Sequence, residues 1–217
     1  MDLSKLKGEI IRVGRLLIRK NLTVGSSGNI SVRIPGEDRI IITPSGVPFR
    51  TMLPEELVII DLDGRVIEGK KRPSSELPLH LKIYKSRPDV NAIIHAHTIY
   101  CSVLAATRTP IPPILDEMIF FIGGDILVAK YAPPGTEDLA RNALEALGTR
   151  KAVILANHGV VACGRDLEDA LETLVRVERI SQIYILAKLI GEPKRLPDEV
   201  IRREIEAYEL RREGKSL

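Results

Sequence analysis

Two of the four histidines in this 217-residue chain, His95 and His97, stand two apart at the end of the apolar run 91–97. Such a run reads as a buried strand, and residues two apart on a strand project from the same face. The two imidazoles are therefore placed to grip one metal ion. His158 closes a second apolar run, 152–158. Three neutral imidazoles with an open fourth position are a usual ligand set for catalytic zinc. An H-x-H motif alone is short, and satisfied structural histidines are the alternative. The repeated strand-end placement favours the metal.

Three turns rich in glycine and serine precede the histidine pair: Gly25-Ser26-Ser27-Gly28-Asn29, Thr43-Pro44-Ser45-Gly46 and Pro73-Ser74-Ser75-Glu76. Each offers short hydroxyl side chains and exposed backbone N–H groups, the parts of an anion cradle. Ser74 and Ser75 also lie where a helix begins, and the positive end of a helix dipole favours a phosphate. Any one of these alone reads as a turn or an N-cap; three together point to a shared phosphate site. Glu76 adjoins the third turn and reads either as a first-turn capping glutamate or as a general base beside a metal. Glu76 and His80 are four apart, a spacing that permits a metal pair on one helix face. With three other histidines available as ligands, His80 reads as structural.

The elements that must hold these residues follow from the pattern of the chain. Leu3, Leu6, Ile10, Val13 and Leu17 make a helical stripe that ends near Asn21. Strands are expected at 29–34, 39–43, 57–61 and, across the Asp63-Gly64 turn, at Val66 and Ile67. Residues 75–86 read as a helix with Leu77, Leu81 and Tyr84 inward, stopped by Pro88. A short helix follows the His95 strand, then a proline-rich loop at 109–113. Strands at 126–129 and 152–157 flank a helix at 137–147. Asp166 caps a long helix to Ile190, with Gly191 and Pro193 as stop signals, and a last helix spans about 198–212. No repeat or linker interrupts the chain, so one α/β domain is expected over residues 1–217, its largely antiparallel or mixed sheet covered by helices.

Composition narrows the function. With 44% hydrophobic and 28% charged residues, the chain can bury a sizeable core. A formal charge of +3 without a Lys/Arg block, and only 4% aromatics, argue against nucleic acid as a partner. No apolar stretch of about 18 residues and no leader pattern suggest a membrane span or a signal peptide. Cys101 and Cys163 read as buried fillers in a reducing cytoplasm. The surplus of Ile, Arg, Lys and Glu with proline-rich loops hints at a thermophile.

In order along nearly the whole chain, these motifs resemble the class II, zinc-dependent sugar-phosphate aldolases, with the L-fuculose-1-phosphate aldolases the most similar branch. Gly28, Asn29, Ser45, Gly46, Ser74 and Ser75 fall on that family's phosphate-contacting turns. Glu76 falls on its acid/base, which can also ligate the resting metal, and His95, His97 and His158 fall on its zinc ligands. The blocks 131–136 and 157–163 match as well. The resemblance implies a three-layer α/β/α sandwich around a mostly antiparallel, mixed central sheet. It also implies a cyclic homotetramer whose active sites lie between subunits, and one zinc ion per subunit.

One position departs from the pattern. The family branch carries a tyrosine that reaches in from a neighbouring subunit where this chain has Glu117, within Leu115-Asp116-Glu117-Met118. Related methylthioribulose-phosphate dehydratases carry Glu-Met here, with the glutamate as acid/base, whereas Ser74-Ser75-Glu76 is the aldolase version of its turn. Tyr208 matches a second tyrosine of the aldolases; it reads otherwise as a helix-surface residue. The activity implied is reversible cleavage of a ketose 1-phosphate to dihydroxyacetone phosphate and an aldehyde, with Glu76, Glu117 and Tyr208 as catalytic candidates. A pentulose-phosphate 4-epimerase and the dehydratase are the alternatives on the same scaffold. Cytoskeletal scaffold relatives lack the zinc histidines retained here.

Overall fold

A computed structural model describes residues 2–212. Helix α1 (Leu3–Arg19) starts where the Asp2 carboxylate accepts from Ser4 N, and it buries Leu6, Ile10, Val13 and Leu17. Strands β1 (Asn29–Arg33), β2 (Arg39–Ile42), β3 (Val58–Asp61) and β4 (Val66–Glu68) then form an antiparallel meander. Helix α2 (Leu77–Ser86), strand β5 (Ala92–Ala96) and helix α3 (Ile99–Thr107) follow. A π-helical turn (Met118–Ile122) leads to β6 (Val128–Ala129), α4 (Glu137–Leu147), β7 (Ala152–Leu155), β8 (Gly159–Gly164), α5 (Leu167–Ile190) and α6 (Asp198–Arg212).

The eight strands form one sheet in the order β4-β3-β2-β1-β5-β8-β7-β6. Every pairing is antiparallel except β6–β7. Because strand side chains alternate, each central strand feeds two cores. Ile30, Ile41, Ile94, Val160 and Ala162 face a core shared with α1, α3 and α5. Ile40, Ile42, Ile93, Val161 and Cys163 face another, shared with α2 and α4. Two helical layers around a mixed, mostly antiparallel sheet make the expected α/β/α sandwich. Among the described residues no helix is long and apolar enough to cross a membrane.

Three local expectations are corrected. The strand expected at 152–157 ends at Leu155 and is followed by a further strand outside the expected set, β7 and β8 being joined by a turn in which Asn157 takes a left-handed φ of 56°. Asn before His-Gly is turn chemistry, since Asn tolerates that conformation and glycine follows the bend. Helix α2 begins at Leu77 rather than Ser75, and its buried face is Leu79, His80, Ile83 and Tyr84. Leu77 and Leu81 only flank that core. A buried histidine escapes any apolar-periodicity count, and this one shifts the apparent face by a fraction of a turn. The last sheet strand before α4 is also shorter than the expected 126–129.

Candidate active site

The register of β1 against β5 sets Asn29 directly opposite His95. His95 shares its sheet face with Ile93, so both it and Asn29 look toward α2. Glu76 stands at the N-terminal end of α2 with φ −95° and ψ 16°, and its side chain makes no capping bond to its own helix. That disposes of the capping role. Instead the carboxylate turns to the histidines: Oε2 lies 3.0 Å from His95 Nε2 and Oε1 lies 3.3 Å from His158 Nε2. Asn29 Nδ2 donates to Oε2 at 3.0 Å. Ser74 Oγ accepts from Glu76 N at 3.2 Å and pins the backbone of the residue.

His95, His97 and His158 close around a common point, with one ligand atom from each lying within 4.8 Å of the others. The His95 and His97 Nε2 atoms are 3.0 Å apart. A tetrahedral zinc with Zn–N bonds of about 2.0–2.1 Å holds its nitrogens about 3.3–3.4 Å apart, so the His95–His97 pair needs to open by only a few tenths of an ångström to become ligands. Protonation favours the same reading. The Val160 carbonyl can only accept, so His95 Nδ1 carries the proton that is donated to it at 3.0 Å, leaving the Nε2 lone pair aimed at the cluster. Burial, followed by the neighbouring imidazoles of His158 and His97, holds His95 well below the usual histidine range. His97 is lowered by burial and then by His158. The buried Glu76 Oε1 and His158 Nδ1 have no hydrogen-bond partner. Neutral imidazoles beside an unsatisfied carboxylate oxygen fit a divalent cation.

The supports of the three histidines come from residues that the sequence did not single out. Helix α3 starts two residues after His97, and its N-terminus is held by Glu178 of α5, whose two oxygens accept from Tyr100 N and Cys101 N at 2.9 and 3.0 Å. A carboxylate at a helix N-terminus satisfies otherwise orphaned N–H groups and the helix dipole. At the other end, Ala105 O accepts from Asn157 N, and the Arg108 guanidinium donates to Asn157 Oδ1 at 3.1 and 3.2 Å. Helix α3 is thus a strut between the His97 strand end and the His158 turn. Gly159 is required beside it: a Cβ there would fall 2.6 Å from Ala96 O and 2.8 Å from the His97 ring.

The three serine–glycine turns converge. Ser74 N donates to Thr43 O, Pro44 and Pro73 form a β-bridge, and Thr43 Oγ1 accepts from Ile30 N beside Asn29. Ser45, Gly46 and Ser75 remain exposed around this seam, with Gly28 partly so and Ser74 buried. Gly28 has φ +84°, and a Cβ there would press within 2.4 Å of His95 O. The loop 131–136 closes over the third turn, with Gly135 backed against Ser75 O. His80 lies outside the ligand cluster, buried between Asn29 and Ser31, in keeping with a structural reading.

Glu117 and Tyr208 are placed differently. The Glu117 carboxylate bridges Arg176 and Arg179 of α5 at 3.2 and 3.0 Å. Tyr208 is buried in α6, its ring against Gly123 and its hydroxyl donating to Thr149 O at 3.2 Å. It lines a cavity with Cys163 and Gly164, at the end of β8 away from Gly159. The two ends of β8 are about 16 Å apart at the usual rise per residue. Within one chain, then, neither residue joins the histidine cluster.

This fold and constellation have relatives. Residues 8–185 match the family model described as class II aldolase and adducin N-terminal domain. A 5-deoxy-D-ribulose 1-phosphate aldolase of Bacillus thuringiensis serovar kurstaki is 40% identical over 199 residues, covering 92% of this chain and 93% of that protein. An L-fuculose phosphate aldolase of Escherichia coli is 39% identical over 194 residues, covering 89% and 88%. A solved L-fuculose 1-phosphate aldolase superposes with a TM-score of 0.91 at 43% identity, covering 96% of this chain and 98% of that one. The chain belongs to the class II aldolase and adducin N-terminal domain family.

Proposed function

We propose that residues 1–217 act as one metal-dependent aldolase domain, which reversibly cleaves a ketose 1-phosphate to dihydroxyacetone phosphate and an aldehyde. The observation that carries this reading is the convergence of His95, His97, His158 and Glu76 beside the seam of three serine–glycine turns. Its relatives named as aldolases of 5-deoxyribulose 1-phosphate and fuculose phosphate support it over most of their length. Zinc is the metal that best suits three imidazole donors.

The phosphate is taken by Gly28, Asn29, Ser45, Gly46, Ser74 and Ser75, a few residues from the base, which positions the reacting carbons. A divalent metal held by His95, His97 and His158 would supply the positive charge that stabilises the oxygen receiving the electron pair of the breaking bond. In cleavage, the hydroxyl of the carbon that becomes the aldehyde loses its proton. The adjacent carbon–carbon bond breaks, its electron pair passes toward the ketone oxygen, and Glu76 delivers a proton to the carbon left behind. In synthesis Glu76 removes that proton again. The hydroxyl proton is taken by the Glu117 carboxylate of an adjacent copy, in a homotetramer with sites between subunits, and Tyr208, whose buried hydroxyl donates to Thr149 O, supports the subunit that supplies it. The setting we propose is the cytoplasm of a thermophile.

The test is metal analysis followed by product identification with a panel of ketose 1-phosphates and pentulose 5-phosphates. Dihydroxyacetone phosphate with stoichiometric zinc is expected. An inverted pentulose phosphate would make the protein an epimerase, and loss of water a dehydratase.

A further inference from the structure

A buried chain of hydrogen bonds runs from Glu76 away from the histidine cluster. Asn29 Nδ2 donates to Glu76 Oε2 at 3.0 Å; Asn29 Oδ1 lies 2.5 Å from His80 Nε2; His80 Nδ1 lies 2.6 Å from Ser31 Oγ; Ser31 Oγ lies 2.9 Å from the Tyr84 hydroxyl. Asn29 and Glu76 are 5% exposed, Tyr84 2% and the other two 0%, so water does not compete for these groups.

The direction of every proton can be worked out from one end. A carboxylate accepts only, so the amide nitrogen of Asn29 must face Glu76 and its oxygen must face His80. An amide oxygen accepts only, so His80 Nε2 must carry a proton. Burial lowers His80 to about 3, which keeps the ring neutral and leaves Nδ1 as an acceptor. Ser31 therefore donates to Nδ1, and its oxygen accepts from Tyr84, whose hydroxyl is held protonated by burial. Unsupported, the Asn29 amide could flip and set its oxygen against the carboxylate. An N–H at His80 Nε2 forbids the flip. Glu76 Oε2 is left permanently occupied, and Oε1 has no hydrogen-bond partner.

We infer that His80, held as its Nε2–H tautomer by Ser31 and Tyr84, is a positioning residue that locks the Asn29 amide onto Glu76 Oε2 and reserves Oε1 for the reacting proton. The inference rests on the reading of Glu76 as the base. Sequence spacing hid it, because the chain joins β1 to α2 across some fifty residues and only the sheet register brings the two together.

Two substitutions separate positioning from bulk. His80→Gln keeps an N–H near the Nε2 position, while His80→Met fills a similar volume without a donor. His80→Met should lower kcat about 10- to 100-fold with KM nearly unchanged and bound metal retained, and His80→Gln should recover most of the loss. Equal losses in both variants, in step with their melting temperatures, would overturn the role. Long-range proton–nitrogen spectra of the nitrogen-15-labelled wild-type protein give a second readout, independent of substrate and of how the variants fold. They should show His80 protonated on Nε2 and bare on Nδ1; the opposite tautomer refutes the inference. If the wild type cleaves no ketose 1-phosphate, the proposed activity fails on its own, and the tautomer still decides the His80 assignment.

Discussion

Arg108 and Asn157 are both non-glycine residues in the left-handed region, with φ of 53° and 56°, and they grip each other through the guanidinium and the Asn157 side-chain oxygen. One caps α3, the helix that starts just after His97; the other immediately precedes His158. The contact couples two metal-ligand segments that are about sixty residues apart in the chain.

Asn157→Ala should therefore cost about 1–2 kcal/mol of stability, because alanine tolerates the left-handed conformation poorly. It should also weaken metal binding about tenfold, as loss of a ligand's support does. Asn157→Gly restores the backbone but not the Arg108 contact, so it should recover stability and leave the affinity defect. Chelator competition and thermal unfolding read the two effects separately; full recovery of affinity in the glycine variant would show that the contact does not matter.

Glu76→Gln should hold ketose phosphate and metal yet lose turnover by about 100-fold or more. Exchange of the dihydroxyacetone phosphate proton with solvent is the direct assay, and normal exchange would remove Glu76 from the role. Ser75→Ala should act mainly on KM, since the exposed Ser75 borders the phosphate seam without touching the carboxylate. An unchanged KM, with unphosphorylated sugar used equally well, would empty that seam of its function.

The buried His80 makes a pH prediction whose sign is fixed. Its pKa is about 3 in the folded protein and 6.5 in an unfolded chain, so between these values the unfolded state binds the additional proton. The stability of the metal-free protein should be fully present above pH 6.5. It should fall as the medium is acidified toward 3, with His80 contributing up to about 1.4 kcal/mol per pH unit. Denaturant melts at a series of pH values should show a shallower acid slope for His80→Gln. Parallel slopes would mean that His80 ionises in the folded protein.

Glu117→Gln breaks ion pairs to Arg176 and Arg179, but Arg179 is largely exposed and Arg176 also pairs with Glu172 and stacks on Phe121. Stability should drop by no more than about 1 kcal/mol. Bound metal should be unchanged, while the ratio of cleavage rates among substrates with different aldehyde portions should shift. Uniform ratios, equal to those of the unmodified enzyme, would return Glu117 to a purely structural part.

The chain's own order of residues determined the helices, the strands and the His95–His97 pair by short-range rules, while the α/β/α sandwich and the full ligand set were legible only through the family resemblance. The period of two along a strand sets His95 and His97 on one face, and turn chemistry marks each serine–glycine loop. Apolar stripes likewise reveal the helices. What tertiary structure alone decided is everything that depends on register between distant segments. The pairing of Asn29 with His95 decides which polar side chains share a face, and so gives the buried His80 its partners on β1. The same holds for Glu178 at the start of α3 and for Arg108 on Asn157, contacts spanning tens of residues that no local pattern encodes. Glu117 and Tyr208 were legible as residue types at suggestive positions. Their partners in this chain, two arginines and a backbone carbonyl, follow from how α5 and α6 pack against the π-helical turn and from nothing in the motifs themselves.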